Sequence, residues 1–414
     1  MRPFHPQPRR LFAHAAVAAT AHANKGRVCG LAGHAGRRHQ LTIRVEDVAR
    51  LVSFPVDVRD LDAYRRALAL ALDGGPAIAP LTDAGPPTTD EAPDGVALVV
   101  STSGSTGTPK RAMLTADNLI ASATATHDRL RGPGQWLLPM PPQHIAGTQV
   151  LIRSMLAGTM PVAIERFTIN EFVCATKTLD GARRYTSLVP TQLVRLLEAG
   201  AEDALRRFDA ILLGGAASPP ALLERAAEAG VRVLTTYGMS ETAGGCVYDG
   251  VALDGTTVEL EDERIVLRGN TIALGYLDDP ERTEEAFDGR GGFRTGDLGR
   301  WHDGRLQVLG RADDLINTGG MKVAPRVVED AASRLPGVRE AVVLATAHPE
   351  WGEVVSLVVV GDRSLTLAEI RESLRGQLPD YALPQRLLQV DELPLRGPGK
   401  PDRVALAAID QWQD

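Results

Sequence analysis

The chain has 414 residues, of which 44% are hydrophobic, and this is sufficient for at least one large core and for two or three domains. The composition therefore excludes a disordered chain. The formal net charge is −7 and no basic block occurs after residue 40, which argues against nucleic acid as the main partner. No stretch approaches about 18 consecutive apolar residues, so we expect no membrane-spanning helix and no stable insertion into a membrane.

The cysteines and the first 40 residues bear on the cellular compartment. Cys29, Cys174 and Cys246 match neither a metal-binding spacing nor a disulfide framework, which fits a reducing cytoplasm. Residues 1–40 are rich in Arg and His and contain no acidic residue, as in a transit peptide, but they lack clear amphipathic periodicity. We favour a disordered leader or an upstream start codon and predict a cytoplasmic protein.

Two helices are predicted between residues 41 and 72, around the segments VEDVARLV and DAYRRALALALDGG, with the second ending at Gly74 and Gly75. A Pro-rich connection then leads to the apolar residues 96–100, which predict a strand. A polar loop, STSGSTGTPKR, follows at 101–111, and a helix is predicted from about Asp117. Strand, polar loop and helix form the layout of a phosphate-binding cradle.

The polar loop has the chemistry that a triphosphate requires. Its glycines allow backbone N–H groups to point inward, its hydroxyls can donate hydrogen bonds, and Lys110 is a mobile cation. The spacing is too short for a Walker loop, and without the preceding strand the run would be typical of a solvated linker. The candidate phosphate-binding residues are Ser101, Thr102, Ser103, Gly104, Ser105, Thr106, Gly107 and Lys110.

This loop closely resembles the signature loop of the adenylate-forming superfamily, which includes acyl-CoA synthetases, luciferases and peptide-synthetase adenylation domains. The one departure is Arg111, which stands where that family usually has Gly. Further similar motifs follow in the family's order to about residue 404. The resemblance implies a reaction that uses ATP and Mg²⁺ to form an acyl-adenylate, followed by transfer of the acyl group to a thiol.

Residues 136–147 predict a strand that runs into a proline-braced loop. In the superfamily a His or aromatic residue at the place of His144 lines the acyl pocket, although a histidine taken alone is more often structural. Strands at 185–190, 209–213 and 231–235 then alternate with helices at 191–199 and 219–229, the second capped by Ser218. This alternation predicts a mostly parallel sheet, with Gly215 and Gly238 at the carboxyl ends of strands, where ligands bind.

Residues 237–242, YGMSET, resemble the superfamily's second nucleotide motif, although an isolated copy would be an ordinary turn. Tyr237 can stack on adenine, Ser240 can donate to the α-phosphate, and Glu241 is a hard oxygen ligand for Mg²⁺.

Residues 254–310 contain short alternating apolar runs that predict a small antiparallel β subdomain. Within it Asp297 matches the family's ribose motif, and its carboxylate can accept hydrogen bonds from both ribose hydroxyls.

The segment GRADDLINTGGMK at 310–322 resembles the superfamily's hinge, although a plain linker has a similar composition. The resemblance implies that Arg311 contacts the nucleotide, that Asp313 is the pivot, and that Gly319 and Gly320 line the channel for the thiol. Helix, strand, strand and helix are predicted at 326–335, 339–347, 354–360 and 366–378. A final loop, LRGPGKPDR, resembles the catalytic-lysine loop, with Lys400 at its tip; Arg396 and Pro398 replace hydroxyl residues of many relatives.

The predicted fold class is α/β: a large N-terminal domain of mostly parallel sheets with helices and a small β subdomain, followed by a smaller, mobile α+β domain. We place a leader at 1–40, an AMP-binding domain at 41–311 with its β subdomain at about 254–310, and a C-terminal domain at 312–414 that pivots at Asp313. The expected partners are ATP, CoA and an organic acid, bound by a monomer or homodimer.

The segments QHIAGTQVLIRSMLAGT, TSLVPTQL and YGMSETAGGCVYDGV resemble the branch of the superfamily that ligates o-succinylbenzoate to CoA in menaquinone biosynthesis. This implies that Lys400, Glu241 and His144 act in catalysis. For the second carboxylate of this acid the candidates are Arg153, Thr191 and Gln192. The alternatives are another aryl- or acyl-CoA ligase and an adenylation enzyme that loads a separate carrier protein. A non-catalytic nucleotide-binding regulator would tolerate loss of Lys400 or Glu241, and both are present.

Overall fold

The computed structural model describes residues 48–102, 109–396, 400–409 and 411–413, with the backbone alone at 395, 396 and 400. The strands of the large N-terminal domain are β1 (Val48–Phe54), β2 (Ala77–Pro80), β3 (Glu91–Pro93), β4 (Val96–Ser101), β5 (Arg111–Thr115), β6 (Gln135–Leu138), β7 (Val162–Ala163), β8 (Arg184–Leu188), β9 (Ala210–Leu213), β10 (Val233–Met239), β11 (Gly244–Tyr248), β12 (Val251–Ala252), β13 (Thr256–Glu261), β14 (Arg264–Gly269), β15 (Gly275–Tyr276), β16 (Gly292–His302) and β17 (Arg305–Arg311). Its helices are α1 (Leu61–Leu72), α2 (Ala116–Arg129), α3 (Ile145–Leu156), α4 (Ile169–Lys177), α5 (Pro190–Glu198), α6 (Glu202–Leu205), α7 (Pro220–Glu228) and α8 (Pro280–Ala286).

The smaller C-terminal domain has an α+β composition, as predicted. Its strands are β18 (Ile316–Thr318), β19 (Met321–Val323), β20 (Val338–His348), β21 (Gly352–Gly361), β22 (Arg386–Val390), β23 (Leu395–Arg396) and β24 (Lys400–Pro401), and its helices are α9 (Pro325–Ala332), α10 (Leu367–Leu374) and α11 (Arg403–Ala407). Strands β18 to β22 form one sheet around the long antiparallel pair β20 and β21. Among the described helices, none has the length and apolar content needed to cross a membrane.

Three sheets build the N-terminal domain. The first has the order β15-β5-β4-β2-β1-β3, and the second has the order β12-β11-β10-β9-β8-β6-β7. From β10 to β7 the second sheet is parallel, which confirms the βαβ prediction for this region. The third sheet, β13-β14-β16-β17, is antiparallel and confirms the predicted β subdomain. Trp136, Tyr185 and Leu98 belong to a core cluster that spans all three sheets.

The first helix predicted between residues 41 and 72 is wrong for the residues that the structure describes, because Val48–Phe54 is strand β1. It pairs in parallel with β2 and antiparallel with β3, so both backbone edges have partners. Leu51 is 4% exposed between them, and Pro55 disfavours helical geometry at the residue before it. The second helix, α1, is confirmed, and it ends with Gly74 and Gly75 donating to carbonyls of its last turn.

The polar loop lies between two antiparallel strands, and not directly between a strand and a helix. Residues 111–115 form β5, which pairs with β4 and buries Ala112 and Leu114, and helix α2 begins only after it. Thr115 caps that helix. The predicted cap of α7 is also wrong: Pro219 occupies the N-cap position, so Ser218 lies one residue too early for its hydroxyl oxygen to accept from the N–H groups of the first turn.

Truncation of Leu51 tests the placement of β1. We expect Leu51→Ala to lower the free energy of unfolding by about 2–5 kcal/mol, because it leaves a cavity in the apolar cluster on the face of the sheet. Val48→Ala, on an exposed residue of the same strand, should change it by less than about 0.5 kcal/mol. Urea unfolding of both variants measures the difference, and equal losses would argue against this strand.

Candidate active site

The three sheets of the N-terminal domain meet at a buried carboxylate, that of Glu241. Glu241 lies in a 3-10 turn directly after β10 and is 7% exposed. The Tyr276 hydroxyl, on β15, donates to Glu241 Oε1 at 2.8 Å. Lys110 Nζ lies 5.0 Å from the centroid of the Tyr276 ring. A lysine, a tyrosine and a carboxylate from distant parts of the chain therefore form one connected group.

Burial dominates the electrostatics of this group. It raises the pKa of the Glu241 carboxyl, and the Tyr276 hydrogen bond together with the charges of Lys110 and Arg311 acts in the opposite direction. Burial and the Glu241 carboxylate also raise the pKa of Tyr276, so this hydroxyl remains a donor at neutral pH. The site thus contains two cations around one buried acid, an arrangement that suits an anionic ligand.

A second group lies where β10 approaches the β subdomain. The Tyr237 hydroxyl donates to Asp297 Oδ2 at 2.8 Å, and burial raises the pKa of Tyr237, which keeps it protonated. Asp297 is directly opposite Arg311 in the pairing of β16 with β17. The Arg311 guanidinium also donates to Asp313 Oδ2 at 3.1 Å. The structure therefore brings together the predicted adenine, ribose and hinge residues.

Two glycines are required by the backbone at this site. A Cβ at Gly238 would lie 2.2 Å from the Gly244 carbonyl oxygen and 2.7 Å from Gly245 Cα, so a side chain would separate β10 from β11. Gly215 follows β9 with φ +79°, which favours glycine. Ser240 begins the 3-10 turn that contains Glu241. Gly238 thus lets β10 lie close to β11, so that Tyr237 on β10 and Glu241 in the turn after it reach the junction of the sheets.

The base of the phosphate loop is closed by a hydrogen bond from the Thr102 N–H to the Lys110 carbonyl, at 2.8 Å. Ser101 ends β4 and pairs with Arg111. The Arg111 side chain points to the Pro-rich connection, where it donates to the Pro86 carbonyl at 2.8 Å. Arginine in place of the usual glycine is therefore accommodated outside the loop. The predicted residues Ser103, Gly104, Ser105, Thr106 and Gly107 lie outside the described residues, as does the side chain of Lys400.

His144 occupies the N-cap position of α3, the helix that also carries Arg153. Arg153 is 5% exposed, and its Cζ lies 4.5 Å from the centroid of the Trp136 ring. Its Nε and Nη1 atoms have no hydrogen-bond acceptor among the described residues. Burial lowers the pKa of Arg153, but a guanidinium stays charged at neutral pH. Within the described part of the chain, this buried cation therefore has no anion to match it.

Neighbouring groups reinforce this imbalance. His127 Nε2 and Trp136 Nε1 are also buried without a partner in the described part of the chain. Burial and the Arg153 charge lower the pKa of His127 to about 4, so it is neutral at working pH. Gln192, by contrast, already bridges two backbone groups, accepting from the Val189 N–H and donating to the Pro139 carbonyl. Between Gln192 and Arg153, Arg153 is the candidate for the second carboxylate that has buried donors without an acceptor among the described residues.

The hinge region has one crowded and one open glycine. Gly319 has φ +56°, and an added Cβ would lie 2.5 Å from the Trp351 ring. Gly320 has φ +83° with no atom within 4 Å of an added Cβ.

Sequence reasoning missed Tyr276 and His127, because a tyrosine in a short apolar run and a histidine near a helix end are common in cores. Only the pairing of β15 with β5 brings Tyr276 to Glu241.

The chain is similar to known proteins over most of its length. The model of the AMP-binding enzyme family matches residues 15–277, from inside the predicted leader, and that of the AMP-binding enzyme C-terminal domain matches 327–400. A probable 2-succinylbenzoate–CoA ligase of Mycobacterium tuberculosis is 48% identical over 324 residues, covering 76% of this chain and 84% of the relative. The 2-succinylbenzoate–CoA ligase of Listeria monocytogenes is 32% identical over 327 residues, covering 75% and 69%.

Solved structures are similar over most of the chain. The o-succinylbenzoate CoA synthetase of Bacillus subtilis in complex with the acyl-adenylate intermediate OSB-AMP has a TM-score of 0.69 and 25% identity, covering 87% of this chain and 84% of that chain. ATP-bound MatB of Rhodopseudomonas palustris has a TM-score of 0.70 and 27% identity, covering 86% and 78%.

The low pKa of His127 predicts a specific dependence of stability on pH. Its pKa is about 4 in the folded chain and about 6.5 when unfolded, so below pH 6.5 the unfolded chain binds a proton that the folded chain excludes. Stability is therefore lost as the pH falls toward 4. When the pH is lowered from 7 to 4.5, the free energy of unfolding should fall by about 2 kcal/mol less in His127→Gln than in the wild type. Urea titrations measure this; a change as small as that of the control His302→Gln, at an exposed histidine, would contradict it.

Proposed function

The chain belongs to the AMP-binding enzyme family, and from this premise we propose that it is an acid–thiol ligase that joins o-succinylbenzoate to CoA with cleavage of ATP to AMP and pyrophosphate. The names of the relatives support this substrate, as does the acyl-adenylate OSB-AMP in the Bacillus subtilis structure. One observation in this chain carries the proposal furthest: the buried guanidinium of Arg153, whose Nε and Nη1 have no acceptor among the described residues, because o-succinylbenzoate has a second carboxylate to neutralise it.

The first half-reaction joins one carboxylate of the acid to the α-phosphate and releases pyrophosphate. The carboxylate is already ionised at neutral pH, so the nucleophile needs no general base. The barrier lies in bringing two anions together and in stabilising the charge that develops on the phosphates. We assign this work to Lys110, Ser240 and the hydroxyl and N–H groups of the phosphate loop, with Lys400 as the further cation.

The nucleotide is positioned by the groups at the junction of the sheets. Tyr237 provides an aromatic face for adenine, and its hydroxyl orients the Asp297 carboxylate for the ribose hydroxyls. Arg311, opposite Asp297, is close enough to Glu241 to affect its pKa, so its charge also reaches the phosphate side. Gly215 and Gly238 permit close approach of backbone at the two strand ends.

The residues present fit a magnesium ion that is shared with ATP. Among the described residues, no group of three or more His, Cys, Asp and Glu side chains could hold a metal alone. Mg²⁺ in nucleotide sites commonly uses one or two carboxylates plus substrate phosphates, and the buried Glu241 is such a carboxylate. Bound there, Mg²⁺ would supply positive charge at the phosphates. Tyr276 holds the Glu241 carboxylate in one orientation.

We assign the far end of the acid to the inner part of α3. His144, at the start of this helix, borders the acyl pocket, and Arg153 lies two and a half turns further along it. A carboxylate beside Arg153 would satisfy a buried charge and give the Nε and Nη1 donors an acceptor. The neutral His127 and the Trp136 indole add donors and no negative charge.

For the second half-reaction we propose that the C-terminal domain turns about Asp313, so that Lys400 leaves the α-phosphate and Gly319 and Gly320 border the path of the CoA thiol. The thiol then displaces AMP from the acyl-adenylate. The positive φ of both glycines and the close approach of Trp351 to Gly319 support a path that a side chain would narrow.

A panel of acids tests the substrate. With ATP and Mg²⁺, we expect o-succinylbenzoate to support pyrophosphate exchange well above benzoate, sulfoacetate or fatty acids, and with CoA to yield the thioester. The reason is that, among these acids, only o-succinylbenzoate has both an aryl carboxylate and a distant second carboxylate. Equal or better exchange with one of the other acids would move the assignment to a different acyl-CoA ligase, and thioester formation on a carrier protein but not on CoA would exclude CoA as the acceptor.

A further inference from the structure

The hairpin that contains Lys400 is closed by its own backbone. Strands β23 and β24 pair antiparallel, with Leu395 opposite Pro401. The Asp402 N–H donates to the Pro394 carbonyl at 2.7 Å, directly below this pair. These bonds join the two strands to each other but do not fix their direction relative to the domain. That direction depends on the attachments on either side: the buried Leu393 before β23, and helix α11 after β24.

Helix α11 is attached through two side chains, Leu406 and Arg403. Leu406 is fully buried in an apolar cluster. Arg403 Nη1 donates to the Val343 carbonyl at 2.6 Å, and Nη2 donates to Glu329 Oε1 at 2.9 Å. The same Glu329 oxygen accepts from the Val343 N–H at 2.9 Å. Arg403 therefore ties α11 to both α9 and β20.

The two attachments differ in what they constrain. The contact of Leu406 is apolar and non-directional, so it holds the helix against the sheet but permits rotation about that point. The Arg403 fork engages two acceptors on different elements and allows one orientation. Glu329 is well suited as an anchor, since its side chain is 14% exposed and is itself held by β20.

We propose that Arg403 and Glu329 are positioning residues for Lys400, which fix the direction of the hairpin during adenylation. Arg403 is three residues from Lys400 and one from the hairpin's closing bond, so a rotation of α11 about Leu406 is transmitted to the tip. The inference rests on the proposed function, because it assumes that Lys400 acts in the adenylation step. Ordinary fold stabilisation is the competing explanation, and it predicts equal effects on both half-reactions.

A double-mutant cycle with separate half-reaction assays distinguishes the two explanations. We expect Arg403→Met to slow pyrophosphate exchange about tenfold through kcat, with KM for ATP and conversion of supplied acyl-adenylate to thioester within about twofold of wild type. Lys400→Ala should slow exchange about 100-fold or more, as for loss of one electrostatic donor. In the Lys400→Ala background Arg403→Met should add nothing, because Arg403 acts only through the lysine.

Matched variants complete the design. Arg403→Lys should recover part of the rate, since one ammonium can keep the Glu329 contact, and Glu329→Gln should resemble Arg403→Met. Arg363→Met removes an exposed ion pair with Glu369 in the same domain and should leave both steps unchanged. Equal slowing of both half-reactions by Arg403→Met, or additive effects with Lys400→Ala, would overturn the positioning role of Arg403 and leave the proposed function standing. Absence of exchange by the wild type with every acid would instead overturn the proposed function on which it rests.

Discussion

The structure depends on keeping one buried carboxylate, Glu241, at the junction of three sheets. Such a group is costly to bury unless donors and cations surround it, and here they come from a hydroxyl on β15, a lysine before β5 and an arginine at the end of β17. Because Glu241 follows a strand of the second sheet and its partners come from the first and third, the site forms only when the whole N-terminal domain is assembled. The same cations that offset Glu241 are then available to a polyphosphate, so folding and nucleotide binding use one set of charges.

A second constraint explains why the acid should be a dianion. Arg153 is a buried cation for which the described residues provide no acceptor at two nitrogen atoms, next to the unpartnered Trp136 indole and a neutral histidine. An unpaired buried charge destabilises the folded chain, so its presence on the helix that begins at His144 indicates a ligand that brings the missing charge. A monocarboxylate would use its only negative charge at the α-phosphate and leave Arg153 unmatched.

The sequence predicts the parts of this molecule that depend on local patterns. Alternating strands and helices from residue 184 to 239, helix α1 and the antiparallel subdomain are confirmed because periodicity and glycine or proline signals act within a few residues. Strand β1 was missed because its stability comes from pairing with β2 and β3, about 25 to 40 residues away in the chain. Tyr276 was missed for the same reason, since its role exists only where β15 meets β5. Arg153 was a candidate by residue type, but only its burial and missing partners distinguish it from Gln192.

The central claim is that Arg153 meets the second carboxylate of o-succinylbenzoate, and the most direct test is kcat/KM for this acid and for an analogue in which a methyl group replaces the carboxylate that is not adenylated. The wild type should prefer o-succinylbenzoate by about 10- to 100-fold, as expected for hydrogen bonds to a charged group. Arg153→Met should lose that preference through a fall in activity on o-succinylbenzoate, with the analogue nearly unaffected. An equal fall for both acids, or an undiminished preference in the variant, would contradict the account.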